Sequence, residues 1–233
     1  MIIVEFFCGS KSLSNEAEKQ GHKVFTIDIL EKFNPDLCID VLNFEIKMLP
    51  KEFQKPDFIW FSPPCTKYSH ANRKGKWDLT HSNNMVKKSL KLIEKFKEIN
   101  SDICYVLENP QTGTLKKQKF MHNIPFEDAS YCKYGLPYRK QTRFWNNFDL
   151  KLKTCKKDCG FMDGNRHINS VGNGRKRYAK FQRYSWDVKL KYAVPKELVL
   201  SILKQVEVEQ EARKSKHAIP PKPKVLGILA NFI

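Results

Sequence analysis

No run of eighteen apolar residues occurs anywhere in this 233-residue chain, so no transmembrane helix and no membrane partner are expected. Met1-Ile2-Ile3-Val4-Glu5 lacks a basic n-region and a cleavage site, which predicts no signal peptide. There is no internal repeat to suggest a solenoid or array. Cysteine is present without the even count of a disulfide framework: the seven are scattered, as in a reducing compartment where thiols serve the core, catalysis or metal. A cytoplasmic location is the expectation, with a nucleus equally compatible. Acid is scarce relative to base. Asp and Glu number 25 against 42 Lys and Arg, a formal charge of +17, and such an excess favours a polyanionic partner.

What is present has an order. Ile2 to Phe7 reads as a buried strand, followed by a short helix that Ser12 or Ser14 can cap and Gly21 can stop. His22 to Asp28 is a second strand, and Leu37 to Asp40 a shorter third; both end in Asp. Asp57 to Phe61 is an apolar run suited to the middle of a parallel sheet. Met85, Val86, Leu90, Ile93 and Phe96 recur at helical spacing, and Ile103 to Leu107 is a further strand. This alternation predicts an α/β fold with a Rossmann-like, doubly wound, mostly parallel sheet. Beyond Ala129, Tyr131 to Tyr134 and Arg143 to Phe148 read as two strands joined around Gly135 and Pro137. Pro195 opens a last helix with Leu198, Ile202 and Val206 on one face.

Ser62-Pro63-Pro64-Cys65 stands out against this frame. Two prolines remove two amide donors and stiffen the backbone, so the strand must end and Cys65 is held at its C-terminal edge. Ligands and catalytic groups collect along that edge in open α/β sheets. Glu108-Asn109-Pro110 ends the strand expected beside it, as either an acid with a raised pKa or an ordinary Asn-Pro turn. Asp28 and Asp40 are either acceptors for a ribose and an adenine edge or loop-starting aspartates. The first loop, Phe7-Cys8-Gly9-Ser10-Lys11-Ser12, does not match the dinucleotide fingerprint.

Phe7-x-Gly9, an acid after strand two, Asp40 after strand three, Pro63-Pro64-Cys65, Glu108-Asn109, and Gly135-Leu136-Pro137 through Arg143 come in a characteristic succession. Over residues 2–148, and again at 192–206, the chain resembles the cytosine-5 DNA methyltransferases, in the short form of viral and bacteriophage members. The resemblance implies a class I S-adenosylmethionine-dependent methyltransferase acting on a cytosine flipped out of DNA, or, for part of the family, of RNA. Phe7, Gly9 and Pro63 would then line the cofactor pocket, Asp28 would hold the ribose, and Asp40-Val41 the adenine. Cys65 would attack cytosine C6, Glu108 would bind N3 and the amino group, and Arg143 would help to hold the base. Thr66 stands where the family usually has Gln, and the Gln-x-Arg-x-Arg of the family reads Tyr138-Arg139-Lys140-Gln141-Thr142-Arg143 here.

On this reading residues 1–148 form a catalytic domain, 149–191 a reduced, basic recognition region, and 192–233 a helix and tail that pack back on it, in a monomer. Between Arg139 and Lys191 fifteen Lys and Arg face four Asp. Tyr178, Phe181, Tyr184 and Trp186 are interleaved with cations, as on a nucleic-acid surface. Cys155, Cys159 and His167 fall in the same region. They are either three zinc ligands, with Cys132 a fourth, or unrelated residues. Cys8, Cys38 and Cys104 read as small core residues.

Overall fold

The computed structural model describes residues 1–69, 78–167 and 193–218. Strand β1 (Ile2–Phe6) leads to helix α1 (Ser12–Lys19), then to β2 (Lys23–Asp28) and the short β3 (Leu37–Cys38). A series of 3₁₀ turns reaches β4 (Phe58–Phe61), followed by α2 (Thr80–Ile99) and β5 (Cys104–Pro110). Next come β6 (Phe126–Ser130) and β7 (Gln141–Asn146). A small ribbon of β8 (Met162–Asp163) and β9 (Arg166–His167) precedes α3 (Lys196–Ala218).

Seven strands form one sheet in the order β3-β2-β1-β4-β5-β7-β6. Strands β1 to β5 are parallel; β7 runs antiparallel between β5 and β6. The chain works outward from β1 to β3, then restarts at β4 on the other side of β1. That reversal opens a crevice at the C-terminal ends of β1 and β4.

Strand alternation divides the core between two faces. Val4, Phe6, Ile59 and Phe61 meet Val86, Ile93 and Phe96 of α2 on one face. Ile3, Phe58, Trp60 and Val106 meet Leu13 and Ala17 of α1 and Leu198, Ile202 and Val206 of α3 on the other. The doubly wound sheet and the last helix agree with the sequence pattern.

Several local expectations do not hold. Neither serine caps α1; Lys11 occupies its N-cap with a left-handed φ of 57° and no side-chain bond. The acceptor comes instead from Glu5 of β1, whose Oε2 takes the Ser14 N–H at 3.1 Å and the Ser14 hydroxyl. Tyr131–Tyr134 is a 3₁₀ turn closed by Gly135 at φ 85°, and the strand lies just before it, in β6. Cys38 is exposed, whereas Cys8 and Cys104 are buried. The aromatic-basic run at 175–186 and the tail beyond residue 218 lie outside the described residues.

Candidate active site

A cavity of about 180 Å³ lies at the ends of β1, β2 and β3. Phe7, Asp28, Asp40 and Val41 line it, together with Ile29, Ile39, Pro64, His81 and Met85 and the strand residues Phe6 and Ile27. Phe7 has a φ of +58°, a strained conformation for a bulky residue. This turns the chain sharply off β1, and the N–H of Cys8 is held by the Ile27 carbonyl at 3.1 Å.

Gly9 does not line the cavity; its N–H donates to Asp28 Oδ2 at 3.0 Å. Asp28 Oδ1 accepts the Leu30 N–H at 2.9 Å. A carboxylate offers about four acceptor directions, so Asp28 ties two loops together and retains capacity for a diol. Asp40 accepts the Leu42 N–H at 2.9 Å and starts the turn that presents Val41. Ile29, 57 % exposed directly after Asp28, gives a flat ring an apolar face to lie on. No sequence signal short of strand ends would have chosen Ile29, Ile39, His81 or Met85.

Pro63 is buried and is not among the residues that line the cavity, whereas Pro64 is; the Pro63 carbonyl accepts the Asn109 Nδ2–H at 2.9 Å. This bond locks the Cys65 loop to β5. The 3₁₀ turn after Cys65 is braced as well, because the Tyr68 carbonyl accepts the Thr114 N–H at 2.9 Å and the Tyr68 hydroxyl meets Asn83 at 2.9 Å. A Cβ at Gly113 would lie 3.1 Å from the Pro110 carbonyl and 3.2 Å from the Tyr68 carbonyl, so any larger residue there would have to push this close approach apart.

Glu108 and Cys65 meet at the ends of β5 and β4. Burial raises the Glu108 carboxyl, opposed by the Lys140 ammonium and a hydrogen bond from Ser62. Trp60 donates its indole N–H to Ser62 Oγ at 2.7 Å, which leaves the Ser62 proton to Glu108. Glu108 Oε2 is enclosed and has no partner. An orphaned carboxyl oxygen in such a place is costly unless a ligand or a proton completes it. The Cys65 thiol is also raised, first by burial and then by Glu108, with Lys140 opposing. Burial and the nearby carboxyl together outweigh the Lys140 charge, so the thiol is not lowered.

Arg143 does not join this pair. In register it lies opposite Asn109 and Asp128, whereas Glu108 lies opposite Phe144. Arg143 therefore projects from the other face of the sheet. There it holds Asp128 through Nε at 2.8 Å and Nη2 at 2.9 Å, with its guanidinium 3.4 Å from the Phe126 ring centre. Lys140 and Thr142 have the parity that faces Glu108. Lys140 Nζ sits 4.7 Å from the Tyr131 ring centre, and the Tyr131 hydroxyl lies beside Thr142 and feels the Glu108 charge. The cation of this site is Lys140, one residue before β7.

Cys155, Cys159 and His167 converge, and Cys132 joins them: their ligand atoms all lie within 4.8 Å of one another. Among the described residues, no helix is long and apolar enough to cross a membrane.

No family model matches the chain, and no curated protein matches it by sequence. Among solved structures it is similar to the S. pombe Dnmt2 methyltransferase, with a TM-score of 0.47 and 15 % identity over 68 % of this chain and 54 % of that one. It is also similar to the Entamoeba histolytica methyltransferase EhMeth, with a TM-score of 0.44 and 15 % identity over 72 % and 61 %. The chain thus spans little more than half the length of these structures, and likeness at this distance leaves function to be read from its own residues.

Proposed function

We propose that the chain transfers a methyl group from S-adenosylmethionine to C5 of a cytosine in DNA, through a covalent bond between Cys65 and C6. One observation carries the reading: a thiol and an enclosed carboxyl with an unpartnered oxygen lie together at the ends of neighbouring strands, next to a cavity bordered by strand-end acids. The cavity residues suit the cofactor. Phe7, Ile29, Ile39 and Val41 offer apolar contact to a purine, Asp40 an acceptor for its amino group, and Asp28 acceptors for a ribose diol. S-adenosylmethionine, when bound, supplies an electrophilic methyl group.

Cytosine C5 is too weakly nucleophilic to accept a methyl group directly. Addition of the Cys65 thiolate to C6 converts the C5=C6 bond into an enamine-like carbon, splitting one hard step into two. The proton that a raised carboxyl keeps lets Glu108 donate to N3 and drain the charge that develops there. A protonated Glu108 also ceases to repel the thiolate, so one proton serves both groups. Lys140 adds a fixed positive charge beside them. Once C5 carries the methyl group, loss of the C5 proton restores the ring and releases Cys65. The base must leave the helix to reach an edge this enclosed, and the charge of +17 supports a nucleic-acid substrate.

Transfer of labelled methyl to DNA and, in parallel, to RNA tests this, comparing the native chain with Cys65→Ser. Label at cytosine C5 of DNA that disappears in the mutant is expected. Label in RNA alone would reassign the substrate, and transfer to neither by a folded, cofactor-binding chain would refute the reading.

A further inference from the structure

We propose that Cys132, Cys155, Cys159 and His167 form a closed zinc site that fastens the segment after β7 to the turn beneath Lys140. This inference does not depend on the methyl-transfer reading. All four ligand atoms lie within 4.8 Å of one another, and the Cys132 and Cys155 sulfurs are each 3.4 Å from His167 Nε2. Tetrahedral zinc, with bonds of about 2.3 Å to sulfur and 2.0–2.1 Å to nitrogen, requires a sulfur-to-nitrogen edge of roughly 3.5 Å. The three cysteines are free thiols.

The backbone is arranged around the same point. Lys157 takes a left-handed φ of 69°, and the N–H groups of Asp158 and Lys157 are directed at the Cys155 sulfur. His167 stands at the end of the β8–β9 ribbon, two residues per strand, and a ribbon this small has no independent stability in water. Between Lys151 and His167 the only buried side chain is Cys155 itself. A core is missing where a metal would substitute for it.

Three thiolates and an imidazole in tetrahedral reach select zinc over magnesium or calcium, which require oxygen. Four protein ligands leave no open position, so the site is structural rather than catalytic. Its position gives it a purpose. Cys132 belongs to the 3₁₀ turn whose neighbour Tyr131 lies under Lys140 and whose N–H is bonded to the Lys140 carbonyl at 3.0 Å. Lys133 reaches Asp158 at 2.9 Å, and Ser130 Oγ accepts the Cys155 N–H at 3.0 Å. The metal therefore ties residues 153–167 to the element that seats the cation of the candidate active site.

The test is metal analysis of the 233-residue chain, purified under reducing conditions with zinc supplied, combined with chelator competition. One zinc per chain is expected, and cobalt(II) exchanged into the site should show the intense visible absorption of a tetrahedral thiolate complex. Cys132→Ser should weaken zinc binding by about a hundredfold or more, whereas Cys38→Ser, on an exposed thiol away from the cluster, should leave it unchanged. Should Cys132→Ser not fold, His167→Ala serves in its place, and the native chain still decides the stoichiometry. Absence of stoichiometric zinc in the native chain, or native affinity in the ligand variants, would overturn the site.

Discussion

Glu5 and Glu108 are two glutamates on the same face of the same sheet, one on β1 and one on β5, and burial raises both carboxyls. Their surroundings differ. Glu5 Oε2 accepts from the N–H and the hydroxyl of Ser14 and so holds the start of α1. Glu108 accepts a hydrogen bond from Ser62 and keeps an enclosed oxygen without a partner. Burial by itself does not mark a reactive group. What sets Glu108 apart is unused hydrogen-bonding capacity beside a thiol.

The strongest way to break this contrast is Glu108→Gln. Methyl transfer should fall by roughly 10²–10⁴-fold, the usual contribution of a positioned acid, with the chain still folded by circular dichroism. The same variant should speed alkylation of Cys65 by iodoacetamide at a pH where Glu108 is ionised, because the charge that raises the thiol is gone. An inert thiol in Glu108→Gln would mean that the two groups are not coupled.

Glu5→Gln should change stability and its pH dependence instead. The folded carboxyl titrates at about 7, against the ordinary 4.5, so the folded chain binds the extra proton between those values. Its contribution is complete below about pH 4.5 and is lost as pH rises through 7, by an amount on the order of 3 kcal/mol. The variant should match the native chain in denaturant midpoint at pH 5 and exceed it at pH 8. Equal midpoints at both would show that Glu5 is not the buried acid inferred here.

Lys140→Met should have a smaller effect. It removes the cation that opposes the rise of both Cys65 and Glu108, so Cys65 alkylation near pH 8 should slow several-fold, with Lys140→Arg restoring most of the rate. The smallest effect belongs to Arg143→Lys. The two-pronged bond to Asp128 would be lost while a positive charge remained, costing about 1–2 kcal/mol of stability. Activity per folded molecule should change by less than the Lys140 substitution; a larger loss would return Arg143 to the chemistry.

Much of this arrangement was legible in the order of residues. The run from Phe58 to Phe61 ended by Pro63-Pro64 put Cys65 at a strand edge, and Asp28 and Asp40 stood where strands stopped. Strand periodicity and proline are local properties, readable without neighbours. The hairpin after Ala129 was misplaced by a few residues, with Tyr131–Tyr134 read as a strand. Such an error has a large consequence in a sheet, because a change of one residue in parity moves a side chain to the opposite face. Arg143 is expected at the site from the resemblance alone, and the register that sets it opposite Asn109 puts it on the other face of the sheet from Glu108.

By itself, then, the sequence determined the alternating α/β order, the buried strands, the position of the Cys65 loop and the excess of positive charge. All of these rest on spacing and composition along the chain. Only the tertiary structure decided that β7 inserts between β5 and β6, that Lys140 rather than Arg143 faces Glu108, and that Cys132 completes the set of Cys155, Cys159 and His167. The reason is that each of these depends on which distant segments the closed core brings side by side. Cys132 and His167 lie 35 residues apart, and no local rule measures that distance in space.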